Sequence, residues 1–471
     1  MNDGLFDEFN PVSAKQWKQL IQFELNGADY NETLVWKTNE GVLVKPFYTS
    51  EDFKTLPETS NSKATQWRIC QTIFVADVKR SNSKAIKTIK NGAESIKFII
   101  PSEEVSIVDL LENINFEHIT IFFELQFLSE TFVKNLITIT ANAEIFIQTD
   151  IIGNLARNGN WHKTLNDDFS KFNAIVAQTK SFDVDLALYQ NASANMVQQL
   201  AYAMAHATEY LDKISDDEAL YTIFKENKYS KYSVIFNVSI GSNYFFEIAK
   251  LRALRLLWRT IAKTYHINPE CHIIASPSKR NKTIYEANTN LLRTTTECMS
   301  AILGGANTIY NMPFDAVYKK SNAFSERMAH NQLLILKHES WLNKVNNPSD
   351  GTYYIETLTN QLAEKALVLF KDIEANGGFL KQLKEDTIQR KIKESATKEQ
   401  QQFDAGETVL LGTNKYPNAK ETMKDALELY PFVKTKPRKT LIEPIIERRL
   451  AEKMEQDRLK MEEFGRKTDD R

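Results

Sequence analysis

The sequence has little of what builds a disulfide framework, a metal centre or a membrane anchor. Cysteine occurs three times in 471 residues, and Cys70, Cys271 and Cys298 lack the paired spacing of disulfide-forming or zinc-binding cysteines. No apolar run approaches the roughly 18 residues that a membrane-spanning helix needs. The N-terminal segment MNDGLFDEFN is acidic where a secretory signal would be basic. We therefore expect an untargeted, cytoplasmic protein without a metal site.

An excess of either charge is also missing. Lysine and arginine number 59 against 61 aspartates and glutamates, which gives a formal net charge of -2. Such a balance creates no long-range field that would gather nucleic acid or an anionic membrane surface. What the sequence does have is a hydrophobic fraction of 42%, enough for a large buried core. These counts indicate a globular protein with neither nucleic acid nor a membrane as partner.

Eight short β-rich runs recur along the middle of the sequence, each followed by a segment that can form a helix. They are RICQTIFV (68–75), SIKFII (95–100), ITIFFEL (119–125), EIFIQT (144–149), FDVDLAL (182–188), YSVIFNVS (232–239), HIIAS (272–276) and NTIYN (307–311). Mostly apolar runs without strict alternation are typical of parallel strands covered on both faces. Eight such units predict a closed (β/α)8 TIM barrel. Helical periodicity is clearest at 195–211 and 245–261.

Extensions precede and follow the predicted barrel. Residues 1–66 carry isolated aromatics (Phe6, Trp17, Phe23, Trp36 and Phe47) and are expected to form an extended arm. The barrel and its following helices, at about 322–344 and 356–374, occupy 67–400, and Gly377 and Gly378 end the second of these helices. Residues 401–471 are predicted to be a linker and a charged helical tail. That tail has a narrow apolar stripe of Ile446, Leu450, Met454 and Met461.

Few residues offer chemistry. His206 and Glu209 could form an acid/base pair on one helix face, but a surface ion pair or capping contact is favoured, because catalytic groups of this fold follow the strands. Arg252, Arg255 and Arg259 form a basic stripe that could hold phosphate or, as we favour, serve structure or an interface.

Two further pairs of adjacent residues have simple structural interpretations. Gly304 and Gly305 could cradle a phosphate or permit tight packing before a strand. Cys271 and His272 lie in an apolar strand, where a buried thiol and a hydrogen-bonded histidine are expected. No GxSxG, P-loop, GxGxxG or HExxH motif occurs.

Five strings resemble segments of the methylmalonyl-CoA mutase family and occur in the family's order. They are WKTNEGVLVKPFYTSED (36–52), NYFFEIAKLRALRLLW (243–258), LLRTTTECMSAILGGANTIYNMPFD (291–315), SERMAHNQLLILKHES (325–340) and NNPSDGTYYIETLTNQLAEKA (346–366). The resemblance thus extends over most of the sequence, and it too implies a (β/α)8 barrel.

The departures from the family bear on function. Its catalytic chains have a tyrosine and a histidine after the fifth strand, and the histidine can hydrogen-bond the substrate carbonyl. Ala187 and Leu188 stand there in this sequence, and neither side chain can donate that bond. The family's cobalamin-binding domain carries an Asp-x-His-x-x-Gly loop whose histidine ligates cobalt, and no such string occurs here. We expect no catalytic, cofactor-binding or metal-binding residue in this chain, and no cobalamin-binding domain.

Scaffold strings beside missing site residues favour a non-catalytic small subunit of an adenosylcobalamin-dependent methylmalonyl-CoA mutase. The resemblance implies a bacterial heterodimer in which a large catalytic subunit binds substrate and adenosylcobalamin, and in which the N-terminal arm of this chain wraps that partner. Two alternatives remain. One is an acyl-CoA mutase that uses a separate cobalamin-binding chain. The other is an assembly or chaperone-like module of the mutase system, with the arginine stripe as its contact surface.

Overall fold

A computed structural model describes residues 8–55, 57, 60, 63–141, 143–226, 232–434 and 438–469, with side chains as far as 462. Two short antiparallel strands, β1 (Trp36–Lys37) and β2 (Leu43–Val44), precede the barrel. Eight further strands form one sheet: β3 (Arg68–Phe74), β4 (Ser95–Ile100), β5 (Thr120–Leu125), β6 (Glu144–Gln148), β7 (Phe182–Asp185), β8 (Val234–Ile240), β9 (Cys271–Pro277) and β10 (Thr308–Tyr310).

All hydrogen-bonded neighbours in the large sheet are parallel, in the order β6-β5-β4-β3-β10-β9-β8-β7. The first predicted strand pairs with the eighth, Ile69 lying opposite Ile309, so the sheet curls round on itself. This arrangement confirms the predicted (β/α)8 barrel. It also confirms all eight predicted strands, including the weakest run at 307–311.

Helices follow the strands and surround the sheet. They are α1 (Ala14–Glu24), α2 (Tyr30–Leu34), α3 (Val78–Lys90), α4 (Ile107–Leu111), α5 (Glu130–Ile139), α6 (Ile151–Asn158), α7 (Leu165–Thr179), α8 (Ala187–Asn191), α9 (Met196–Ser215), α10 (Glu218–Lys225), α11 (Tyr244–Thr264), α12 (Thr289–Leu303), α13 (Ala323–His338), α14 (Tyr353–Ala375), α15 (Gly378–Lys384), α16 (Thr387–Asp404) and α17 (Glu452–Asp469). The predicted helix ending holds, because α14 stops two residues before Gly377, which has a φ of +99°.

The sheet closes between β6 and β7 without a backbone ladder in the described part of the chain. Side-chain carboxylates bridge the gap instead. The Thr149 amide donates to Asp183 Oδ1 at 2.7 Å, and the Asp185 amide donates to Asp150 Oδ2 at 2.8 Å. Burial, and then the charge of Asp150, raise the pKa of Asp183 well above its ordinary value. The seam is therefore joined by acidic side chains at the carboxyl ends of the two strands.

The fifth predicted strand was too long. Residues 182–188 were assigned to one strand, but β7 ends at Asp185 and the chain turns directly into the short helix α8. The reason is local, because Asp185 Oδ1 accepts a 3.0 Å hydrogen bond from the Ala187 amide and turns the backbone away from the sheet.

The N-terminal arm lies against the helices by means of its aromatic residues. Trp17 stacks on Phe47 with ring centroids 5.0 Å apart, and Trp36 contacts Phe246 of α11 at 5.6 Å. Phe23 is 80% exposed. Phe6, which belonged to the same predicted set, lies outside the described residues.

The charged tail begins its helix later than its apolar stripe indicated. Residues 441–450 belong to no helix or strand, and α17 starts only at Glu452. Leu450 is buried as expected, but Ile446 and Met461 are exposed, so the predicted stripe is not the docking face. Charged residues hold the helix instead, since Glu455 accepts from the Ile284 amide at 2.8 Å and Arg458 lies 3.9 Å from the Tyr285 ring.

Candidate functional site inside the barrel and at its mouth

The axis of the barrel is filled by a compact set of side chains, which we call the axial cluster. It consists of Cys70, Phe122, Phe146, Tyr232, Ile235 and Ile274, and all are buried. These residues come from β3, β5, β6, β8, β9 and the segment before β8, so they meet inside the ring of strands. The rings of Phe122 and Phe146 stack at 5.3 Å, and the His272 ring lies 5.4 and 5.2 Å from them. This layer makes the interior a packed core.

An ion pair lies next to the axial cluster on the side of the strand carboxyl ends. Lys97 Nζ is 2.7 Å from Glu124 Oε2, with the lysine side chain 6% exposed and the glutamate 39% exposed. Lys97 lowers the pKa of Glu124 below its ordinary value. Lys97 and Glu124 therefore neutralise each other, and neither charge is free to bind a ligand in the barrel.

The positions that would distinguish a catalytic chain lie on α8. Leu188 is completely buried in the main hydrophobic core, and the partly buried Ala187 contributes only a methyl group. The following residue, Tyr189, has a hydroxyl, but it lies 2.9 Å from His206 Nδ1 and both side chains are inaccessible. Of these three residues only Tyr189 has a polar side chain, and α8 directs it into the protein.

His206 and Glu209 do not form an acid/base pair. His206 Nε2 lies 2.9 Å from Asp150 Oδ1, which also accepts from the Tyr210 hydroxyl at 2.6 Å. Glu209 Oε1 instead accepts a 2.8 Å bond from the Leu380 amide at the start of α15. The capping interpretation is therefore confirmed for Glu209, whereas the predicted surface ion pair is wrong for His206, which is buried against Asp150 beside the β6–β7 seam.

The arginines of the stripe form ion pairs and hydrogen bonds within the chain. Arg252 pairs with Asp350 at 2.9 Å and with Glu356 at 2.6 Å. Arg255 donates to the carbonyls of Cys271 and Gly305, at 2.9 and 2.7 Å, and so ties the start of β9 to the loop before β10. These contacts are structural, as favoured from the sequence, and leave no row of free guanidinium groups.

Arg259, the third of the stripe, is the most exposed and pairs with Glu270 at 3.2 Å. The glycine pair also serves packing, because a Cβ on Gly304 would lie 2.9 Å from Leu251 Cδ1. Cys271 is buried, which raises the pKa of its thiol, and His272 Nε2 lies 3.0 Å from Thr308 Oγ1. Both expectations for the Cys271-His272 pair are confirmed.

The polar groups of the barrel interior were missed in the sequence. Lys97 and Glu124 are the only charged residues in their strand runs, SIKFII and ITIFFEL, and that interruption was the available signal. Among the described residues, no cluster of three or more potential metal ligands occurs. No described helix is long and apolar enough to cross a membrane.

Fold and interior together define a class, a (β/α)8 barrel protein whose axis is occupied by its own side chains. The family model for methylmalonyl-CoA mutase matches residues 135–466. The chain belongs to the methylmalonyl-CoA mutase family.

Relatives with known names agree with that assignment. The chain is 34% identical over 462 residues to the methylmalonyl-CoA mutase small subunit of Porphyromonas gingivalis, covering 91% of this chain and 73% of that one. The methylmalonyl-CoA mutase of Rhizobium meliloti is 27% identical and is matched over 94% of this chain and 69% of its own.

Among solved structures, the dihydropteroate synthase of Thermus thermophilus aligns over 60% of this chain and 100% of its own, at 12% identity and a TM-score of 0.32.

Proposed function

We propose that this chain is the non-catalytic small subunit of an adenosylcobalamin-dependent methylmalonyl-CoA mutase and that it supports a separate large catalytic subunit. The observation that carries the proposal is the filled barrel. An acyl-CoA threaded along the axis would have to displace Phe122, Phe146 and the His272 ring, which are buried and in mutual contact. Moving a buried aromatic ring from the core into water would cost about 1.5–3 kcal/mol for each ring.

The residues at the strand ends support the same view. A group that stabilises developing charge on a thioester oxygen must point into the site and donate a hydrogen bond. Leu188 has no donor, while Tyr189 and His206 are directed at each other and at Asp150. Helix α8 has no other side chain that could replace the tyrosine and histidine of the catalytic chains. We therefore assign no catalytic residue to this chain.

Mutases of this family normally use adenosylcobalamin. The described residues do not fit that cofactor as its binding site. His206, buried beside Asp150, and His272, at the start of β9, lie 2.9 Å from Asp150 Oδ1 and 3.0 Å from Thr308 Oγ1, so neither is available as a cobalt ligand. We propose that the large subunit binds the cofactor, and we derive no step of the reaction through this chain.

We further propose that the arm of residues 1–66 wraps the large subunit, whereas 67–400 form the supporting barrel with its following helices and 401–471 a linker and tail. The arm helix α1 has no buried residue, and its Leu20 and Phe23 are more than half exposed. Apolar side chains of this kind on an amphipathic helix are expected to be covered by another surface.

The test is reconstitution with a large-subunit candidate encoded beside this chain. We expect the purified small chain to show no mutase activity and no cobalamin absorbance, and the mixture to form a stable complex whose intact mass equals one copy of each. The large chain alone is the control, and it should be less active or less stable than the complex.

Other outcomes would separate the alternatives. Turnover by this chain alone would overturn the proposal. Tight, stoichiometric binding of an acyl-CoA to this chain would favour the acyl-CoA mutase that borrows a cobalamin-binding chain. A complex that forms and then dissociates once cofactor is loaded, seen by size exclusion over time, would favour the assembly module.

A further inference from the structure

The irregular segment that precedes α17 lies across the carboxyl ends of several barrel strands. Four of its amides donate to backbone carbonyls that follow the barrel strands, from Ile442 to Gly159 O (3.1 Å), from Ile445 to Ala156 O (2.8 Å), from Arg448 to Asn191 O (3.1 Å) and from Leu450 to Arg280 O (2.8 Å). These acceptors follow β6, β7 and β9, and the carboxyl ends of these strands form the mouth of the barrel. We call residues 441–450 the strap.

The strap is closely fitted to the barrel. Ile442, Ile445 and Leu450 are each about 4% exposed. Gly159, with a φ of +74°, allows the closest approach, because a Cβ there would lie only 2.7 Å from Ile442 O. Backbone pairing and apolar burial therefore hold both halves of the strap, and a single acidic side chain between them points into the mouth.

That side chain is Glu447, and it occupies a pocket of polar groups. Its carboxylate lies 3.2 Å from Arg157 Nη1, accepts from Asn191 Nδ2 at 3.1 Å and lies 4.0 Å from Lys279 Nζ. Arg157 also pairs with Asp185 at the end of β7. The Glu447 side chain is 25% exposed. The strap offers a contrast in Glu443, whose carboxylate pairs with Lys393 of α16 while both side chains remain largely exposed.

We propose that the strap closes the β6 to β9 side of the barrel mouth and that the Glu447 carboxylate is the clasp that holds it shut. The inference extends the proposed function, because a mouth covered in cis suits a chain that admits no substrate. Breaking a partly buried ion pair costs more free energy than breaking an exposed one. Without Glu447, Arg157 would keep Asp185 as a carboxylate partner but would be less fully neutralised.

Hydrogen–deuterium exchange of the full chain tests the clasp directly. In E447Q, peptides covering 441–450 should exchange roughly tenfold faster than in the unaltered chain, because removing one partner of a partly buried pair favours local opening. E443Q is the matched control, with the same chemical change four residues away, and it should leave exchange within about twofold. Peptides from β4 and β5 should keep their protection in both variants.

The strap proposal is overturned if E447Q exchanges no faster across 441–450 than E443Q does. Should E447Q fail to fold, K279M removes the most exposed cation of the pocket and should give a smaller acceleration of about threefold in the same peptides, beyond the twofold range of E443Q. Unchanged exchange in K279M would then overturn it. No partner chain is needed, so a failure here leaves the proposed function standing, and activity of the isolated chain would overturn that function without altering the exchange result.

Discussion

Phe122→Ala should reveal whether the barrel axis is a packed core. Phe122 is fully buried and contacts Phe146 at 5.3 Å and His272 at 5.4 Å, so its removal leaves a cavity that neighbouring strands cannot easily close. Buried phenylalanine-to-alanine changes typically cost about 3–5 kcal/mol in unfolding free energy. An unfolding entropy of about 2.1 cal/mol/K per residue, taken over the whole chain, converts that loss into a fall in Tm of about 3–5 °C.

The assay is thermal unfolding followed by tyrosine and tryptophan fluorescence, with Phe74→Ala as the control. Phe74 ends β3 and is 52% exposed, so its loss should lower Tm by only about 1 °C. The new cavity in the Phe122 variant should also bind a small apolar molecule, as empty apolar cavities do. Benzene should therefore restore part of the lost Tm in Phe122→Ala and have no such effect in Phe74→Ala. If Phe122→Ala unfolds within about 1 °C of the unaltered chain, the axis is not packed as described, and the main support for a substrate-free barrel is lost.

Three further outcomes are expected. Arg255→Lys should lower the free energy of unfolding by about 2 kcal/mol, since a lysine cannot reach the Cys271 and Gly305 carbonyls together, whereas Arg259→Lys should cost less than about 1 kcal/mol in the same denaturant titration. Burial, followed by the charges of Glu209 and Asp212, raises the pKa of Glu374 to about 7. The ionised Glu374 therefore destabilises the fold progressively as pH rises from about 4.5 to about 7, and Glu374→Gln should raise Tm at pH 8 but not at pH 4. Glu364→Gln, on the exposed face of the same helix, is the control and should leave Tm unchanged at both pH values. All three cysteines are buried and free, so a thiol reagent should label none in the native chain and all of them in denaturant; rapid labelling of the native chain would contradict the burial.

The barrel was readable from the sequence because its strands are continuous apolar runs. SIKFII and HIIAS stay buried on both faces, and this requirement appears directly in their composition. The fifth strand was overextended for the same reason. Its last apolar residue, Leu188, is buried in a helix, and burial alone does not distinguish the two kinds of element.

The pairing of side chains could not be read in this way. Lys97 and Glu124 become neighbours because β4 and β5 are adjacent with Lys97 opposite Phe122, a register that depends on the whole sheet. The strap is a second case. Residues 445–450 have the composition of a helix, but the amides of Ile445, Arg448 and Leu450 bond to distant carbonyls, and such acceptors leave no periodic signal.

The site residues divide along the same line. The sequence alone showed that Leu188 replaces the histidine of the catalytic chains, because only one hydrogen-bond donor at one position is missing. The occupation of the axis involves several strands at once, and Cys70, Phe122 and Ile274 are common core residues when each is taken alone. An obstruction made by several ordinary residues becomes visible only when the strands are arranged around a common axis.

The seam between β6 and β7 differs from the other strand junctions of the described barrel in what sets its spacing. Elsewhere the distance between neighbours is set by backbone hydrogen bonds, whereas here it is set by the length of the Asp150 and Asp183 side chains. Because the contacts of Asp150 with His206 and Tyr210 fix its side chain, the spacing at the seam depends on residues of α9 as well as on the two strands. Among the described residues, the circumference of the barrel is thus set by backbone ladders along most of its perimeter and by two aspartate side chains between β6 and β7.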